Sequence, residues 1–178
     1  MTGAARPDAE GLQNAEAFAG ALVRSGRTVV SFLENETDAQ VARSILSLEG
    51  ESQAGLLVLS ATGPDRLYPP AMRDLYHQVA DRALILTPLT PGVGVSEQTL
   101  EQRSVVCAYL CPDLLVLQAE LPGQAHTLAR LFADNNRDVY AIPGSIHSSL
   151  YKGSHKLLRE GARLTETVAD IVQVATKN

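Results

Sequence analysis

Short, nearly continuous apolar runs alternate with amphipathic stretches along most of the chain, and this alternation restricts the fold more than any other feature. The runs are Thr28–Ser31, Leu56–Ser60, Leu84–Thr87, Leu114–Leu117 and Asp138–Ile142. Each is short and bounded by turn residues, which is how strands covered on both faces read. Helical patterns separate them. One runs from Asn14 to Arg24 and stops at Ser25-Gly26; a second is capped by Asp38, passes through Val41, Ile45 and Leu48, and stops at Gly50. Others cover Pro70 to Asp81, Glu97 to Leu110 and Thr127 to Asn135. Returns of this length allow right-handed helical crossovers between parallel strands. The pattern predicts an α/β class fold, doubly wound and Rossmann-like, with a mainly parallel sheet of about five or more strands and helices on both faces. Residues 1–12, small and polar with Pro7 and Gly11, read as a flexible leader, and 13–178 as a single domain whose tail, Gly153 to Thr176, forms two more helices.

A chain of 178 residues, 45% hydrophobic and 20% charged, can bury a core without disulfides, so intrinsic disorder is excluded as its main state. No apolar run reaches the eighteen or so residues of a membrane span, and the first residues lack a secretory pattern. A cytoplasmic protein without a membrane partner is expected. Fifteen basic and twenty acidic residues give a net charge of −5, so any nucleic-acid contact has to come from a local patch. Aromatics are only 4% of the residues, which leaves few platforms for base stacking. Cys107 and Cys111 stand four apart in a helical pattern, too few for a disulfide framework and without partners for a metal, and read as a buried apolar pair. No cofactor is expected.

In such a fold, function gathers at the carboxyl ends of the strands. The loop after the first strand, Phe32 to Thr37, has no glycine and two carboxylates, whereas a phosphate cradle needs bare backbone N–H groups and no negative side chains. Neither G-x-G-x-x-G nor a Walker sequence is present, which argues against a nicotinamide enzyme or a P-loop NTPase. The last loop differs: Pro143-Gly144-Ser145 leads to Lys152, His155, Lys156 and Arg159, backbone donors beside cations and an imidazole. It reads either as an anion site or as a turn followed by a solvated basic helix face.

The stretch from Asp138 through Pro143-Gly144-Ser145-Ile146-His147 to Ala162 resembles the end of the Rossmann-like domain of the DprA (Smf) family of DNA-processing proteins. Thr62-Gly63-Pro64-Asp65-Arg66-Leu67-Tyr68-Pro69 is similar to that family's G-x-D-x-x-Y-P signature, and Val29–Ser31 with Asp38-Ala39 stands at its V-S-G-x-A-R-G-I-D-A. The resemblance implies binding of single-stranded DNA, loading of a RecA-type recombinase in natural transformation, a homodimer, and no catalysis. It also implies a weakened site. Phe32–Asp38 replaces G-x-A-R-G-I-D, putting Asn35 for the arginine and Glu36 for a glycine; Leu100–Val105 keeps only Arg103 of F-x-x-R-N-R; Gly123-Gln124-Ala125 replaces S-G-S.

Arg103, Gly144, Ser145, Lys152, His155 and Lys156 are the residues expected to make the remaining nucleic-acid contacts. The alternative is a protein-interaction or oligomerisation module that keeps the fold but has lost the DNA site. A nucleotide hydrolase using Asp65, Glu36 and His147 is a third reading, weakened by the missing P-G-G-x-G-T signature; Asp65 also reads as a turn residue. The apolar tail residues Leu157, Leu158, Leu164, Val168, Ile171 and Val172 are expected to serve a dimer in part.

Overall fold

A computed structural model describes residues 1–48 and 55–172 of the chain. The helix stop read at Gly50 and the last residues of the tail lie outside this described part. Element order is α1 (Ala9–Arg24), β1 (Val29–Ser31), α2 (Glu36–Leu46), β2 (Leu56–Leu59), α3 (Arg73–Arg82), β3 (Leu84–Leu86), α4 (Glu97–Leu110), β4 (Asp113–Val116), α5 (Gln124–Asp134), β5 (Asp138–Ala141), α6 (Lys152–Arg159), β6 (Arg163–Leu164) and α7 (Ala169–Val172).

Among the described residues all the pairings are parallel, but the single five-stranded sheet is corrected to two sheets of three, β1-β2-β3 and β4-β5-β6. In register, Val30 lies opposite Leu57, and Leu115 opposite Tyr140. The separation has a physical cause in the N-terminal residues. The Met1 nitrogen donates to the Val30 carbonyl (2.9 Å), the Thr2 N–H donates to Leu115 O (2.9 Å), and the Leu117 N–H donates to Thr2 O (2.9 Å). Residues 1–2 therefore stand between β1 and β4 and use ladder groups that the two strands would otherwise offer each other. Where a leader was expected over 1–12, the structure has this bridging segment followed by the first turn of α1, whose N-cap Asp8 accepts from the Gly11 N–H (2.8 Å).

Side-chain alternation along the strands builds two cores. Leu115, Leu117, Tyr140 and Ile142 face one cluster with residues of α1, α2 and α3; Leu114, Val116, Val139 and Ala141 face the other with residues of α4, α5 and α6. β2, β4 and β5 are thus covered on both faces, as their unbroken apolar runs require, but the edge strand β3 corrects that reading, since its Leu84 and Leu86 are exposed. The tail holds the two helices read there, α6 and α7, but the two-residue strand β6 lies between them beside β5. Gly161, at φ 106°, makes the turn between α6 and β6 that only glycine adopts readily. Of the six tail residues, Leu157 and Ile171 are consumed by the core, and Leu164 is 54% exposed. No described helix is long and apolar enough to cross a membrane.

Candidate nucleic-acid interface

The three segments that depart from the family pattern meet in one place. A cleft of about 670 Å³ at the carboxyl ends of the strands is lined by Phe32, Glu34 and Asn35 from the β1 loop, by Arg103 from α4, and by Gly123 and Gln124 at the start of α5. Its floor is formed in part by Thr2 and Gly3. A Cβ on Gly3 would come within 2.6 Å of the Thr37 side chain, so glycine lets the N-terminal segment pass against α2.

Arg103 is the one cation read from sequence that reaches this cleft, and it is already engaged. It is 5% exposed, ion-paired with Glu34, and its guanidinium carbon lies 3.7 Å from the centre of the Phe32 ring. Burial pushes the Glu34 carboxyl above its ordinary range despite the arginine, whose charge and hydrogen bond pull the other way. The N-terminus of α2 is closed as well. Asn35 caps it by accepting from the Asp38 N–H (3.0 Å), the Thr37 hydroxyl donates to Ala4 O (2.7 Å), and Asp38, buried at the third helical position, accepts from the Glu34 N–H (3.0 Å). The cap read at Asp38 is therefore Asn35. A buried carboxylate and a carbonyl stand where a nucleotide-binding fold offers N–H groups to phosphate, as the missing glycine and paired acids of this loop led one to expect. Burial raises the Asp38 carboxyl in turn.

The remaining predicted residues lie together on the β5 loop and α6. The Gly144 carbonyl accepts from His155 Nε2 (3.0 Å), which fixes the proton on that nitrogen. Tyr151 stacks with His155 at 6.4 Å between ring centres, and a Cβ on Gly144 would strike the Tyr151 ring at 2.4 Å. The Ser145 hydroxyl accepts from the His147 N–H (3.2 Å), and the exposed Lys152 ammonium donates to Ile146 O. Lys156 pairs with Glu160 at 3.8 Å. This loop adjoins the cleft through residues 119–123: the Gly153 N–H donates to Ala119 O (2.7 Å), and Pro122 and Gly123 line the cleft.

Asp65 is a turn residue. It accepts from the Gly92 N–H (2.8 Å), which holds its carboxyl below the usual range, and the Thr62 and Thr87 hydroxyls brace the same loop by donating to Arg66 O and Thr62 O. Among the described residues Asp65, Glu36 and His147 share no hydrogen bond or ion pair, and no group of three or more His, Cys, Asp or Glu is placed to hold a metal. Sequence reasoning missed Phe32 and Glu34 as partners of Arg103. The signal available was charge, two acids in a loop facing a lone arginine of a distant helix, but nothing in the spacing joins positions 69 residues apart.

Fold and geometry together define a Rossmann-like α/β domain with a cleft at the crest of its strand-end loops. The chain belongs to the DNA recombination-mediator protein A family, whose model matches residues 1–176. It is 33% identical over 144 residues to protein Smf of Synechocystis, covering 81% of this chain and 35% of that protein. It is 28% identical to the DNA processing protein DprA of Streptococcus pneumoniae over 81% of this chain and 50% of the relative. This chain thus spans between a third and a half of these relatives' length. The crystal structure of the pneumococcal protein superposes with a TM-score of 0.85 at 26% identity, over 97% of this chain and 59% of that one. A Helicobacter pylori DNA processing protein A structure shares the fold with a TM-score of 0.86 at 20% identity, over 99% of this chain and 78% of that one. Nothing in these likenesses favours an interaction module that has abandoned the DNA site.

Proposed function

We propose that this chain binds single-stranded DNA across the strand-end crest and serves recombination by presenting that strand to a RecA-type recombinase. The observation that supports it most is the meeting of the β1 loop, Arg103 and the start of α5 in one cleft, next to the loop that carries Lys152. The Helicobacter pylori protein of the same fold is described for its single-stranded DNA binding mode. Phosphate contacts fall to Lys152 and Lys156, with the Ser145 hydroxyl and the loop backbone at Gly144 and His155 positioning them. Because Arg103 is neutralised by Glu34 and the net charge is −5, few phosphates are neutralised, and binding is weak with a shallow salt slope. Association as a homodimer belongs to the same proposal, with the exposed Leu164 at the edge strand β6 as one contact.

The test is fluorescence anisotropy with labelled oligonucleotides at low and moderate salt. Replacing Lys152 and Lys156 by Ala should weaken binding about three- to tenfold, equally for every base sequence, and lower the salt slope by roughly one to two. Absence of saturable binding by the native chain at low salt would overturn the proposal. Co-sedimentation with a RecA-type recombinase on the same oligonucleotide tests the partner.

A further inference from the structure

Cys107 and Cys111 meet at the end of α4 with their sulfurs 3.9 Å apart, far from the strand-end crest and unused by the DNA reading. The two differ in access. Cys107 is 4% exposed and packed in the second core, whereas Cys111 is half-buried and lines a separate cavity of about 360 Å³ at the opposite end of the strands, with Arg27, Asp113 and Tyr140.

Residues four apart inside a helix hold their Cβ atoms about 5–6 Å apart, and a disulfide wants about 3.5–4.5 Å, so an intact helix resists closure. Cys111 is not inside the helix. It is the C-cap, with extended backbone (φ −99°, ψ 132°), and Pro112 follows it, so its side chain can swing towards Cys107 at the cost of the Cys111 N–H bond to Cys107 O (2.9 Å). Arg137 secures the turn beneath by donating to Ala108 O and Tyr109 O, each at 3.1 Å. The hydrogen bond between the thiols brings Cys111 down to about 7, helped by the Arg137 charge, while that same bond and burial push Cys107 up.

We propose that Cys107 and Cys111 form a peroxide-reactive dithiol, with Cys111 the attacking and Cys107 the resolving sulfur, which closes to a reversible intrachain disulfide. The Cys111 thiolate attacks a peroxide oxygen; the O–O bond breaks, a sulfenic acid forms, and the departing hydroxide takes up a proton to leave as water. Cys107 sulfur then attacks the Cys111 sulfur, the S–O bond breaks, and a second water leaves with the Cys107 proton. Two thiols lose two electrons in total and hydrogen peroxide is reduced to two waters.

The experiment treats the reduced full chain with about one equivalent of hydrogen peroxide and follows free thiols and intact mass under denaturing, non-reducing conditions. The expected result is joint loss of both thiols, a mass lower by two hydrogens, single-chain mobility, and full reversal by dithiothreitol. In Cys107→Ser the sulfenic acid should persist on Cys111 and be trapped by dimedone. In Cys111→Ser, Cys107 should react at least about tenfold more slowly than the native pair. Interchain disulfides as the main product, equal reactivity of the two single variants, or thiols that survive peroxide would each overturn it. The measurements on the native chain decide the matter by themselves if a serine variant fails to fold.

Discussion

The balance of charge at Arg103 governs what the cleft can do. Glu34 is the group that spends the arginine, so Glu34→Gln should free it for phosphate, tightening single-strand binding about three- to tenfold and steepening the salt slope by roughly one. Anisotropy against a salt series reads both, and unchanged affinity and slope in a folded variant would show that Arg103 does not face DNA. The buried acids also set a pH dependence. Glu34 and Asp38 both titrate above their ordinary values because burial disfavours their charge. Their stabilising contribution is complete below the unfolded values and is lost as pH rises through the folded ones, so it grows as the solution is acidified from neutrality. Asp38→Asn keeps an oxygen for the Glu34 N–H while removing the titration. Urea midpoints between about pH 4 and 7 should therefore vary less in the variant than in the native chain, and an identical profile would discount Asp38. At this scale the sequence was only half legible. The two acids of the β1 loop were visible as hostile to phosphate, but Asn35 and Asp38 are both capping residues three apart, and only the folded loop decides which one caps.

Among the elements, α4 was read with its final bounds. Ser96 and Thr99 form a reciprocal capping box and Pro112 follows the last turn, so both ends carry local chemistry. β6 was missed because two residues have no periodicity; its place depends on β5 lying alongside. The contact between α6 and the loop after β4 is likewise invisible in spacing. Gly153 permits it, since a Cβ there would come within 2.6 Å of Glu120 O and 2.7 Å of Ala119 O. Gly153→Ala should cost about 1–3 kcal/mol by overpacking against backbone, and should move α6, with Lys156, away from the cleft. Denaturant unfolding and the oligonucleotide titration together check this: lower stability with unaltered affinity would separate α6 from binding.

For the whole molecule, the alternation of runs and helices gave parallel α/β architecture, and the two-faced cores follow from it. The division into two sheets was not legible, because it rests on Met1, whose nitrogen bonds to Val30 of β1, and on Thr2, whose N–H and carbonyl bond to Leu115 of β4 and to Leu117 just after it. Thr2→Pro removes that N–H, and the variant should lose about 1–3 kcal/mol of stability, read as a lower urea midpoint. A midpoint equal to that of the native chain would mean that the bridge contributes nothing. The same joint falls between contiguous halves of the chain: β1 to β3 precede the loop at 87–96, and β4 to β6 follow it, yet Leu115, Leu117, Tyr140 and Ile142 from the later half complete the core of the earlier one. Each half alone leaves an apolar face without its cover. Two separately produced pieces, cut within 87–96, should consequently reassemble on mixing and regain the far-ultraviolet dichroism of the intact chain, making this fold a ready scaffold for fragment complementation.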